Sequence, residues 1–124
     1  MKDSLRKSYE HLFAVGAAID SWHTGDPAYI DLITKQFSSI TAENQMKPEL
    51  LLDYEKTLAA GDNIRTAQNF EKADKLLAFA QKHGIRVRFH VLCWHNQTPL
   101  WFFTEGWKNI DRKLLADENF KPDF

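Results

Sequence analysis

FEKADKLLAFAQKHGIRVRFHVL, residues 70–92, contains the change of periodicity that decides the fold. Phe70, Ala73, Leu76, Leu77 and Ala80 recur at helical spacing and make one apolar stripe. Asn69 stands where an N-cap belongs, and Gly84 where a helix stops. Directly beyond it the period falls to two. Ile85, Val87, Phe89 and Val91 share one face of a predicted strand; Arg86, Arg88, His90 and Leu92 share the other. A helix that feeds straight into a strand is half of a parallel crossover unit.

Working upstream, the same order repeats. SITAENQMKPE, residues 39–49, begins as the end of a strand-like segment (38–42) and turns abruptly polar. Before it, residues 27–37 space Ile30, Ile33 and Phe37 as a helix, with Pro27 suited to its first turn. SWHTGDP breaks regular structure with Gly25, Asp26 and Pro27. FAVGAAI (13–19) is a continuous small-apolar run, as expected of a strand covered on both faces. Residues 4–12 read as a short amphipathic lead-in helix, and 49–68 as a mixed surface connection.

Strand, helix, strand, helix, strand means an α/β fold with a parallel sheet. That order alone does not separate an open sheet from a barrel. The second face of the 85–92 strand favours the barrel. Arg86, Arg88 and His90 would be costly beneath a covering helix without partners, whereas a barrel lumen near a site can supply them.

Composition narrows the functional classes. The chain has 124 residues, 44% of them hydrophobic, enough for a single soluble domain with a core. Sixteen basic and 17 acidic residues give a net charge of −1, which argues against electrostatic binding to nucleic acid or a membrane surface. No run approaches the roughly 18 apolar residues of a membrane helix. Cys93 is the only cysteine, so no intrachain disulfide can form. LFAVGAAI comes after Lys2, Arg6 and Lys7 in the manner of a leader. Asp3, Glu10 and His11 interrupt that pattern, and a cytoplasmic location is expected.

Two clusters fall at the carboxyl ends of predicted parallel strands, where α/β folds build their sites. The first is Glu43, Asn44 and Lys47; the second is His90, Trp94, His95, Asn96 and Gln97. Amides donate and accept, a carboxylate accepts, an ammonium donates and an indole offers a flat apolar face. A polyol with one apolar ring face suits this set better than a phosphate does. Read singly, the same residues have plainer uses. Glu43 and Lys47, four apart, also fit an exposed ion pair worth a few tenths of a kcal/mol. Asn44 fits a turn, and His90 a satisfied core histidine. His90 and His95 do not have a metal-ligand spacing. Trp101, Phe102, Phe103 and Trp107 fit packing better than ligand platforms.

Together the clusters make a more specific pattern. ITAENQMKPE (40–49) with HVLCWHNQTPLWFF (90–103) after it resembles the N-terminal part of the glycoside hydrolase family 10 xylanases. There a strand ending T-x-E-N-x-M-K precedes a helix with F-x-x-A-D and a strand ending H-x-L-x-W-H-x-Q-x-P-x-W. This chain carries Thr41, Glu43, Asn44, Met46 and Lys47, then Phe70, Ala73 and Asp74. His90, Leu92, Trp94, His95, Gln97, Pro99 and Trp101 complete the pattern. FAVGAAI is similar to the family's first strand. Phe89 departs from a usual glycine, Cys93 from a usual aliphatic residue, and 53–69 is longer than the common connection.

The resemblance implies that residues 1–124 are the N-terminal segment, about three β/α units, of a (β/α)8 TIM barrel, with no second domain. It implies a retaining endo-1,4-β-xylanase that acts on xylan or xylo-oligosaccharide with no cofactor and no metal. Glu43, Asn44 and Lys47 would bind sugar hydroxyls on the non-reducing side of the scissile bond. His90 and Gln97 would contact the sugar beside it, with Trp94 lining the same subsite. A barrel needs around 250 residues. Retaining hydrolysis needs two carboxylates about 5 Å apart, and in this family both lie on later strands, beyond residue 124. The chain alone is therefore expected to be inactive, with no catalytic residue of its own. The alternative is a non-catalytic partial barrel that self-associates, assembles with a complementary C-terminal fragment, or binds xylo-oligosaccharides without cutting them.

Overall fold

A computed structural model of the chain describes residues 4–110. In chain order its elements are α1 (Leu5–Ser8), β1 (Gly16–Ile19), α2 (Pro27–Gln36), β2 (Ser39–Ala42) and α3 (Pro48–Leu51). Next come β3 (Leu52–Asp53), α4 (Tyr54–Ala60), β4 (Ala67–Gln68), α5 (Glu71–His83) and β5 (Arg86–Val87). Short 3₁₀ turns cover Ser21–Gly25, Leu100–Phe103 and Glu105–Trp107. The chain divides into two compact units. One takes the segment up to Met46 with Phe70–Leu92; the other takes Lys47–Asn69 with the segment from Cys93.

The first unit is the parallel sheet that the periodicity implies. Its strand order is β1-β2-β5, with Gly16 opposite Ser39, Ile19 opposite Ala42, and Ile40 opposite Val87. A Cβ at Gly16 would meet the Ser39 carbonyl oxygen at 3.4 Å, ordinary contact between the paired strands. Helix α2 starts at Asp26, whose carboxylate accepts from the Ala28 amide at 2.8 Å, with Pro27 in its first turn. Ile19, Ile33, Ile40, Ala42, Met46, Ala73, Leu76, Phe79, Ala80 and Ile85 make its core. Gly84 ends α5 in the left-handed conformation, and the Ile85 amide then returns to the Ala80 carbonyl at 2.9 Å.

Several local expectations need correction. The first strand starts at Gly16 rather than at residue 13, and Phe13 is exposed. Its faces are unequal: Gly16 and Ala18 are exposed and only Ile19 is buried. The 85–92 strand shrinks to Arg86–Val87, although the Arg88 amide still reaches the Ile40 carbonyl at 2.8 Å. On α5 the buried stripe is Ala73, Leu76, Phe79 and Ala80, while Phe70 and Leu77 are exposed. The cap of α5 is Phe70, without a side-chain bond, instead of Asn69. The Asn69 backbone N–H donates to the Leu51 carbonyl at 2.8 Å. The lead-in helix stops at Ser8, one turn after its Ser4 cap.

The second unit turns the expected surface connection into structure. β3 and β4 pair antiparallel, with Leu52 opposite Gln68. Asp53 caps α4 by accepting from the Lys56 amide at 3.1 Å. The wholly buried Thr57 hydroxyl donates to the Asp53 carbonyl at 2.6 Å and accepts the Ala67 amide at 2.9 Å. That hydroxyl joins the helix to the two-stranded pair. Trp101 is buried against Tyr54, with ring centroids 5.0 Å apart, and against Trp107 at 5.9 Å. The Trp107 indole N–H donates to the Asp62 carbonyl at 2.6 Å. Trp101 and Trp107 therefore pack, as expected, whereas Phe102 and Phe103 remain exposed.

Candidate functional site

The carboxyl end of β2 places the first group of residues. The Glu43 amide donates to the Ile19 carbonyl at 3.0 Å, which extends the β1–β2 ladder one residue beyond the strands. Its side chain is exposed. Asn44 is half-buried and tied to the end of β1. Its backbone N–H donates to Asp20 Oδ1 at 3.2 Å, and its Nδ2 donates to Asp20 Oδ2 at 3.3 Å. Gln45 turns inward, buried, and its Oε1 accepts the Ser21 amide at 2.8 Å. Asn44 is thus held by more than a simple turn. His90 lies in this same unit, half-buried, three residues past β5, and the peptide bond after it is cis.

The second unit brings three of the expected residues together. Lys47 is only 8% exposed, so it is not the solvated head of a surface ion pair. Its Nζ donates to Gln97 Oε1 at 2.6 Å and lies 4.8 Å from the centroid of the Trp94 ring. Gln97 has a left-handed backbone, φ +53°, a conformation uncommon outside glycine and asparagine. Neighbouring bonds hold it there. Its N–H donates to Asn96 Oδ1 at 3.0 Å, and its carbonyl accepts the Glu49 amide at 2.9 Å. The Thr98 hydroxyl donates to the Trp94 carbonyl at 3.0 Å. His95 is exposed and meets the Trp94 ring edge-on at 5.1 Å.

Glu43, Asn44 and His90 therefore belong to the sheet unit, and Lys47, Trp94 and Gln97 to the other. Both groups combine neutral amides with one or more ionisable groups, chemistry suited to neutral hydroxyls. A hollow of about 430 Å³ lined by Arg6, Leu12, Phe13, Ser38, Gly84 and Arg86 opens at the amino ends of β2 and β5. Those are the strand ends away from Glu43 and Asn44, so this hollow is not assigned to the same chemistry. Reading the sequence missed Asp20. The signal was a carboxylate at the carboxyl end of β1, one strand over from Asn44, and it fell between the apolar run ending at Ile19 and the turn beginning at Ser21.

The profile of Glycosyl hydrolase family 10 matches residues 4–121. This chain belongs to that family. Endo-1,4-beta-xylanase B of Butyrivibrio fibrisolvens is 44% identical over 104 residues, covering 82% of this chain and 16% of the relative. Endo-1,4-beta-xylanase A of Thermotoga maritima is 42% identical over 118 residues, covering 95% and 11%. Among solved structures, the CBM22-1-GH10 modules of Clostridium thermocellum endo-1,4-beta-D-xylanase 10B, complexed with xylohexaose, superpose with a TM-score of 0.78. They share 32% identity, and the match covers 87% of this chain and 20% of that one. The family 10 chain thus spans a small part of the length of the relatives it matches. Its parallel strands are an N-terminal part of the family's TIM barrel, and no closed barrel forms among the described residues.

Proposed function

We propose that residues 1–124 are the N-terminal segment of the catalytic barrel of a retaining endo-1,4-β-xylanase, and that they carry sugar-binding side chains but neither catalytic carboxylate. Glu43, Asn44 and Lys47 bind hydroxyls on the non-reducing side of the scissile bond. His90, Trp94 and Gln97 serve the sugar beside it. The observation that carries the reading is Lys47: buried, 2.6 Å from the Gln97 amide oxygen and beside the Trp94 ring. An ammonium fixed among an amide and an indole is a donor positioned for neutral oxygen acceptors beside an apolar face, the two surfaces of a pyranose. Family membership and the xylanase relatives support the substrate.

In the full-length enzyme, Lys47→Met lowers kcat/KM on xylan by about tenfold or more, the scale of a hydrogen bond to a charged group. Unchanged kcat/KM would remove Lys47 from the sugar-binding set. The purified 124-residue chain releases no reducing sugar from xylan; release above a denatured control would overturn its assignment as non-catalytic.

The open sheet favours a second reading, a partial barrel that associates with itself or a complementary chain. β1 and β5 are the edges of the three-stranded sheet, and Leu12, Phe13 and Leu92 are exposed at 75%, 59% and 85%. Light scattering on the 124-residue chain decides it: a monomer at all concentrations removes self-association.

A further inference from the structure

We infer that Asp20 is a positioning residue for Asn44: it fixes which side of the Asn44 amide donates and which accepts, and so sets the hydrogen-bond polarity presented to the sugar. The inference rests on the proposal that Asn44 contacts substrate. A carboxamide has nearly the same shape in its two flipped orientations, but rotation exchanges an oxygen acceptor for an NH₂ donor. A carboxylate can only accept. Asp20 Oδ1 takes the Asn44 backbone N–H at 3.2 Å, and Oδ2 takes the side-chain Nδ2 at 3.3 Å. The flipped amide would set its oxygen against a carboxylate oxygen, so one orientation is selected.

The selector is itself held. The Asp20 N–H donates to His23 Nδ1 at 3.0 Å, and the Asp20 carbonyl accepts the His23 N–H at 3.0 Å. The Thr24 hydroxyl closes the turn on the Ser21 carbonyl at 2.6 Å, and the Ser21 N–H donates to Gln45 Oε1 at 2.8 Å. The turn after β1 therefore grips two successive residues of the sugar-reading motif. A carboxylate drawing on the amide NH₂ also polarises the amide and strengthens its oxygen as an acceptor. Xylan carries no charge along its backbone of xylose units, so a nearby anion does not repel it.

The test uses the full-length enzyme with xylohexaose as substrate, read as KM, kcat and Tm. Asn44→Ala lowers kcat/KM; if it does not, Asn44 is not a sugar contact, and that reading fails along with the inference built on it. Asp20→Asn keeps the shape but can accept only one of the two Asn44 donors, and it lowers kcat/KM about five- to tenfold, chiefly through KM. Unchanged kcat/KM with only a lower Tm would overturn the inference. The double variant Asp20→Asn/Asn44→Asp restores both bonds with the side-chain polarity reversed. It recovers Tm while kcat/KM stays low; recovery of both would make Asp20 merely structural. Should the double variant not fold, Asp20→Asn added to Asn44→Ala decides: no further loss of kcat/KM supports action through Asn44, and a further loss overturns it.

Discussion

In the sheet unit, Ile40 and Leu76 are each 1% exposed, and the core repeats along strands and helices at their natural periods. In the other unit a single buried indole, Trp101, sits between Tyr54 and Trp107, and much of the surrounding backbone is irregular. One unit spreads its stability over many similar aliphatic contacts; the other concentrates it in a few aromatic rings and hydrogen-bonded hydroxyls. The same difference separates the two groups of candidate residues. Asn44 is oriented from a strand end, where backbone geometry is dictated by the ladder. Lys47 and Gln97 are oriented by loop bonds that only their particular neighbours supply.

The sharpest way to break this contrast is to remove the ring. Trp101→Ala costs about 3–5 kcal/mol, at the upper end for core truncations. Urea melts of the same protein carrying Leu76→Ala, at about 2–5 kcal/mol, provide the comparison from the sheet unit. If Trp101→Ala costs less than Leu76→Ala, the second unit is not centred on that indole.

A smaller effect separates backbone from packing. Gly84 ends α5 at φ +59°, and a Cβ there would meet nothing within 4 Å. Gly84→Ala therefore lowers stability by about 1 kcal/mol for conformational reasons alone. A neutral result in the same melts would mean that the helix end relaxes out of the left-handed region.

The smallest effect depends on pH. Asp53 caps α4, and the bonds to the Lys56 amide and side chain hold its carboxyl below its ordinary value of 3.8. A depressed folded-state pKa contributes stability that is complete above the unfolded value and is lost as pH falls through the folded one. Asp53→Asn thus lowers Tm at neutral pH, and the gap from the parent closes in acid below the ordinary value. A gap that persists unchanged at low pH would show that charge on Asp53 does not stabilise the helix.

These two regions also differ in how far they could be read in advance. Parallel strands and the helices between them were legible because burial imposes periods of 2 and 3.6 on the sequence. The exchange of Leu77 for Phe79 on α5 was not, because periodicity marks a stripe and the surface it meets chooses the edges. Residues 49–68 looked like a connection because Thr57, a polar residue, is the one wholly buried there. Glu43, Asn44 and Lys47 stood out as a polar strand end, but their partners came from other segments. Asp20 and Gln97 orient Asn44 and Lys47 through bonds between residues 24 and 50 positions apart, which no local pattern records.

Gln97 answers to two criteria that pull toward different residues. Its backbone, at φ +53°, would be more comfortable as glycine or asparagine, while its side chain must reach Lys47 with an amide oxygen. A library at this position screened for heat resistance would enrich the small residues; the same library screened for the sugar binding proposed above would return glutamine. Selection for thermostability would therefore remove the Lys47–Gln97 bond by correcting what looks like a backbone fault.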